Sequence, residues 1–94
     1  MPYLSNDIRI VASQDQVSCD LAGEAAILNL TSGVYYGLNP IGARIWNLIQ
    51  EPKTLNEINE TILREYDVDS GRCEADVRAL VNHLAEQGLI EITT

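Results

Sequence analysis

The sequence predicts an α+β fold: a three-stranded antiparallel sheet, then three helices, then a short C-terminal strand. From Ile8 to Leu38 apolar residues recur with a period of two, the period of a strand. Beyond Pro40 they recur at helical spacing. The change falls within Gly33-Val34-Tyr35-Tyr36-Gly37-Leu38-Asn39-Pro40. There an alternating stretch rich in β-branched and aromatic residues runs into Asn39, a preferred helix N-cap, and Pro40, which suits the first helical position.

Ile8-Arg9-Ile10-Val11-Ala12 alternates as a first strand after a loose polar N-terminus, and Gln14-Asp15-Gln16 is a turn. Val17-Ser18-Cys19-Asp20-Leu21 either continues the sheet or is irregular, and Ala22-Gly23 interrupts it. In the strand from Glu24 to Leu30, Ala26, Leu28 and Leu30 face one way and Ala25, Ile27 and Asn29 the other. Thr31-Ser32-Gly33 is a tight hairpin loop in which glycine can take a positive φ. It leads into the strand Val34 to Leu38.

Helix one carries Ile41, Ile45, Leu48 and Ile49 on one stripe, with Trp46 beside it, and ends near Gln50-Glu51-Pro52 because proline cannot continue the ladder. Thr54-Leu55-Asn56-Glu57 matches a capping box, so helix two starts there and runs to about Glu65, burying Leu55, Ile58 and Ile62. Ser70, after Asp69, reads as the cap of helix three, which carries Val77, Leu80, Val81 and Leu84 and ends at Gly88, a C′ residue. Leu89 to Thr93 alternates as the final strand. Three helices with a trailing strand have the outline of a winged helix-turn-helix. Yet helix three sets Glu74, Asp76 and Glu86 against Arg78, too few cations for a recognition helix.

The totals exclude several functions. With 94 residues the chain has room for one domain, 1–94, with one core. Fourteen acids against six bases give a net charge of -8, which repels phosphate backbones and anionic lipid, so neither nucleic acid nor membrane is an expected partner. The longest apolar runs are far short of a bilayer span, and the expected location is the cytoplasm. Cys19 and Cys73 are far apart and His83 is the sole histidine, too few ligands for a structural zinc site. Two small semi-buried thiols in a reducing compartment are the expectation, with a single disulfide as the alternative. No metal or other cofactor is expected.

No catalytic constellation emerges. His83 lies mid-helix with no acid-base partner near it in sequence, and Glu24, Glu57, Glu60 and Glu65 read as solvated acids. Gly33 to Gly37 lacks the lysine of a phosphate loop. Asp69-Ser70 before a helix is compatible with an acyl or peptidyl carrier protein, but Ser70 opens the last helix and a β-hairpin precedes it, so Ser70 is a cap. Binding remains. The strand Val34 to Leu38 is the last of its sheet and, unless the C-terminal strand covers it, its edge is open; neither Lys nor Pro blunts it. Such an edge is a docking site for an added strand.

Leu28-Asn29-Leu30, Ser32-Gly33-Val34-Tyr35-Tyr36, Leu38-Asn39, Ile45-Trp46, Asp76-Val77 and Gly88-Leu89-Ile90-Glu91 together resemble the PqqD-like proteins, or RiPP precursor peptide recognition elements. The run from Gly37 to Trp46 looks most like the stand-alone leader-binding protein of lasso peptide clusters. The resemblance implies a winged-helix-like fold and no enzymatic activity. It implies that a precursor's leader adds as a strand along Val34, Tyr35, Tyr36, Gly37 and Leu38, beside a helix wall of Asp76, Val77, Leu80, Val81 and Leu84. Which flank of helix three faces the peptide is left open, Asp76 and Leu80 being alternatives to Val81 as the rim. The implied partners are the leader peptide, a cysteine-protease-type leader peptidase and the macrocyclase. The competing readings are a PqqD-type chaperone for a radical SAM enzyme and an acidic winged-helix regulator.

Overall fold

The computed structural model describes residues 7–21 and 24–93, so the expected loose N-terminus and the Ala22-Gly23 interruption lie outside the described residues. In chain order the elements are β1 (Arg9–Ala12), β2 (Gln16–Leu21), β3 (Glu24–Asn29), β4 (Tyr35–Leu38), α1 (Pro40–Leu48), β5 (Lys53–Thr54), α2 (Leu55–Glu65), α3 (Ser70–Glu86) and β6 (Ile90–Thr93). The α+β class, a three-stranded antiparallel sheet and three helices are present. The sheet has the order β2-β3-β4.

The arrangement differs from the expected one in a second small sheet, β5-β1-β6. β1 leaves the main sheet and sits between the two-residue β5 and the C-terminal β6, antiparallel to both. Alternation reports which face of a strand is buried, not which strand lies beside it. For β6 the consequence is large: it pairs with β1 and leaves β4 uncovered.

Ala25, Ile27 and Asn29 of β3 are buried, and Ile27 pairs with Tyr36 while Ala25 pairs with Leu38. The helices close over this face, burying Ile45, Trp46 and Ile49, then Leu55, Ile58 and Ile62, then Cys73, Val77, Val81 and Leu84. Trp46 is 2% exposed, in the core rather than beside it. Leu80, expected in the apolar stripe of α3, is half-buried, and Cys73 takes a core place one turn earlier.

The helix starts follow local chemistry. Asn39 Oδ1 accepts from Gly42 N–H at 2.8 Å, with Pro40 at the first position of α1. The Thr54–Glu57 capping box forms in both directions, at 3.1 and 2.9 Å. These bonds, Thr54 N–H to the Glu57 carboxylate foremost, hold the Glu57 carboxyl below the usual carboxylate range. Asp69, not Ser70, caps α3, its Oδ2 accepting from Arg72 N–H at 3.1 Å. Ser70 is one position too late because it already has helical backbone. Gly33 and Gly88 take positive φ, +74° and +70°, at the hairpin loop and just past α3.

Asn29 ties these parts together. Its Oδ1 accepts from the N–H groups of Thr31 and Ser32 at 2.9 and 3.1 Å, and its Nδ2 donates to Gln87 C=O at 2.6 Å. One buried amide therefore shapes the β3–β4 loop and holds it to the C-terminal end of α3. Asn29→Leu removes these three bonds and leaves partners stranded, so we expect a loss of about 2–3 kcal/mol in urea unfolding. A loss below about 0.5 kcal/mol would mean that these bonds contribute little.

Candidate functional site: a groove beside an open strand edge

The hydrogen-bond phase of β4 follows from its first contact. Asn29 N–H donates to Val34 C=O at 3.0 Å, so position 34 points at β3. Antiparallel alternation then points the backbone groups of Tyr36 and Leu38 at β3 and those of Tyr35 and Gly37 away from it. Among the described residues no strand pairs with that second side. The open edge therefore presents the N–H and C=O of Tyr35 and of Gly37.

Beside this edge lies a groove of about 340 Å³. Tyr36, Gly37, Leu38 and Asn39 form one wall, and Arg72, Cys73, Asp76, Val77 and Leu80 of α3 form the other. The floor is Ile41, Gly42 and Ile45 of α1 with Ile62 of α2, and Val68 closes it from the α2–α3 connection. Gly42 permits this geometry: a Cβ there would stand 3.2 Å from the Leu38 side chain and 3.3 Å from Asn39 Oδ1. Arg44 reaches from α1 to Glu65 at the end of α2 through two bonds of 2.8 Å, which fix the helices carrying the floor. That pairing holds the Glu65 carboxyl below its usual range.

The groove is apolar at its base and polar at its rim. Asp76 stands 3.8 Å from Arg72 across an exposed ion pair. At the opposite end Tyr36 Oη lies 3.4 Å from His83 Nδ1, a hydrogen bond joining β4 to α3. His83 is exposed, and this bond ties it to the strand. Among the described residues no cluster of His, Cys, Asp and Glu could hold a metal ion.

Of the residues expected at the site, the structure gathers Tyr36, Gly37, Leu38, Asp76, Val77 and Leu80 around the groove. The Asp76 and Leu80 flank of α3 is the one that faces it. Val34 precedes β4 and is 50% exposed, and the Tyr35 ring is 72% exposed on the other face of the sheet, so both lie outside the groove although the Tyr35 backbone is on the edge. Val81 and Leu84 are 1% and 0% exposed: they are core residues behind the wall, not part of its surface. Cys73 was legible in principle, one turn before Val77 on the same stripe. Ile62 and Val68 carry no such signal, because packing alone brings them to β4.

A model of the family "Coenzyme PQQ synthesis protein D (PqqD)" matches residues 24–90. The chain belongs to the PqqD family. The resemblance read from the residues of this PqqD-family chain is therefore met. A solved structure described as TbiB1 in complex with the TbiA(beta) leader peptide is 38% identical, with a TM-score of 0.80 over 86% of this chain and 94% of that one. A second, described as lasso peptide synthetase B1 complexed with the leader peptide, is 23% identical with a TM-score of 0.76, over 87% and 96% of the two chains, and shares the fold. No curated protein matches the chain.

The two thiols are unpaired, but they are not both semi-buried as expected: Cys19 is exposed on β2 and Cys73 is buried in the core. Burial, then the charge of Asp76, pushes the Cys73 thiol up. In a DTNB titration of the native protein at pH 8, Cys19 should react promptly and Cys73 only after denaturant is added. Prompt reaction of both would mean that the base of the groove opens to solvent.

Proposed function

We propose that this PqqD-family chain is a non-catalytic adaptor for a ribosomally synthesised precursor of the lasso-peptide type. It takes the precursor's leader as an added strand on β4, beside α3, and presents it to a cysteine-protease-type leader peptidase, with the macrocyclase as a further partner. The whole chain, 1–94, acts as one domain of winged-helix-like topology, in the cytoplasm. Among the described residues no helix is long and apolar enough to cross a membrane. The observation that carries the reading is the open edge of Tyr35 and Gly37 running along the apolar groove. The 38% identical TbiB1 structure, which is a complex with a leader peptide, supports it.

Magnitudes assign the specificity. Four edge groups at about 1 kcal/mol each roughly offset the cost of association, about 4 kcal/mol or more. Useful affinity must then come from side chains that alternate inward, toward Leu38, Ile45, Val77 and Leu80, at about 1.5–3 kcal/mol for each one buried. The backbone sets phase, and the groove selects sequence.

The PqqD-type chaperone for a radical SAM enzyme shares the fold and differs in partner, and the identity to TbiB1 favours the lasso reading. The acidic regulator finds less support: on α3, Arg72 pairs with Asp76 and Arg78 with Glu74 at 3.3 Å, so the cations of that helix are engaged.

Fluorescence polarisation with the labelled leader of the cognate precursor, and a scrambled leader as control, tests the proposal. Saturable binding of the leader alone is expected. Gly37→Pro should weaken it at least ~10-fold, because the ring replaces an outward N–H without touching the β3 ladder. Full affinity in a folded variant would move the ladder elsewhere. Tyr36→Ala removes a groove wall and its bond to His83, and should also reduce affinity; an unchanged value in a folded protein counts against the groove.

A further inference from the structure

The start of α3 has a cavity on each side. One is the groove beside β4, which Arg72 and Cys73 help to line. The other, of about 210 Å³, lies between α2 and α3, where Ser70, Gly71 and Glu74 face Asn59, Glu60 and Leu63. A single contact separates the two: the Cys73 thiol stands 4.0 Å from Asn59 Oδ1.

The second cavity holds polar atoms with bonds still to make. Asn59 is 9% exposed, and its Nδ2 donates to no described residue, although a buried amide ordinarily has its donors satisfied. Glu60 and Glu74 each use Oε1 for an internal partner, Asn56 Nδ2 at 3.2 Å and Arg78 Nη2 at 3.3 Å. Their Oε2 atoms accept from no described residue. Leu63, an exposed leucine, adds an apolar patch to the wall. A cation for two carboxylates, an acceptor for the amide and an aliphatic stem for Leu63 together describe a lysine or arginine residue of a polypeptide.

Position names the source of that polypeptide. β4 runs antiparallel to α3: Asn29, before the loop, reaches Gln87 and Tyr36 reaches His83, so Leu38 lies toward the start of the helix. A leader added antiparallel to β4, the sense of every pair in this sheet, runs parallel to α3. Its N-terminal end then lies beside Val68 and Arg72. The segment that precedes the strand meets the α2–α3 connection, and the second cavity begins just past it at Ser70.

We infer that the leader segment preceding the added strand bends round the start of α3 and places a lysine or arginine side chain between Glu60 and Glu74, with Asn59 Nδ2 donating to a carbonyl beside it. This rests on the proposed leader binding and deepens it. The peptide is held at two places, by apolar residues in the groove and by a basic residue behind α3. A net charge of -8 favours such a peptide.

Fluorescence polarisation with two labelled probes from the cognate precursor tests this: the whole leader, and a leader cut at the first residue of the strand. The segment removed should contain a lysine or arginine, and the whole leader should bind the native chain at least ~5-fold more tightly than the cut one. Glu60→Gln combined with Glu74→Gln should abolish that advantage and leave the cut leader within about twofold of its native affinity. Glutamine keeps an acceptor for Asn56 and Arg78. Added salt should weaken the whole leader more than the cut one. A segment without a basic residue, equal affinity of the two probes for the native chain, or an advantage that survives in the folded double variant overturns the proposal. Normal binding of both probes by a double variant that associates more weakly with the leader peptidase would give the cavity to the enzyme instead. Failure of both probes to bind the native chain would sink the adaptor reading itself.

Discussion

The geometry of the candidate site depends on one side chain. Asn29 is 8% exposed, and its amide satisfies the β3–β4 loop with its oxygen and the end of α3 with its nitrogen. Buried amides are stable only when so satisfied, which makes the arrangement selective for asparagine. Because β4 begins at this loop, the same side chain sets the spacing between the strand edge and the helix wall. Asn39 and Gly42 do the corresponding work at the other end of β4, where α1 turns under the strand.

A site so built separates two kinds of recognition. The strand edge offers only backbone groups, which carry no sequence information. The groove beside it is shaped by isoleucine, valine and leucine side chains from three helices, so it discriminates by size and shape. Arg44–Glu65 holds two of those helices in place from outside the groove and is moderately exposed, so it acts more as a positioning bond than as a source of stability. In the proposed adaptor role, tethering would raise the local concentration of the segment to be cut.

The groove and the outward sheet face belong to the same three strands but to opposite sides of them. Tyr36 and Leu38 look toward the helices; Tyr35 and Gly37 look away. One added strand would contribute side chains to both sides at once.

By itself the sequence determined the three helices and the strands β1, β3, β4 and β6, while β2 was left undecided and β5 was not foreseen. Capping chemistry at Asn39-Pro40 and Thr54–Glu57, positive φ at Gly33 and Gly88, and alternation through Ile27 are local, so neighbouring residues suffice to specify them. The strand ending at Leu38 was legible for the same reason, whereas the flank of α3 that lines the groove was left open by the sequence. Only the tertiary structure decided the rest. It paired β6 with β1 and so left β4 open, sent Val81 and Leu84 into the core, and brought Ile62 and Val68 to the groove. Periodicity records how often a side chain is buried; which neighbour buries it depends on contacts between residues far apart in the chain.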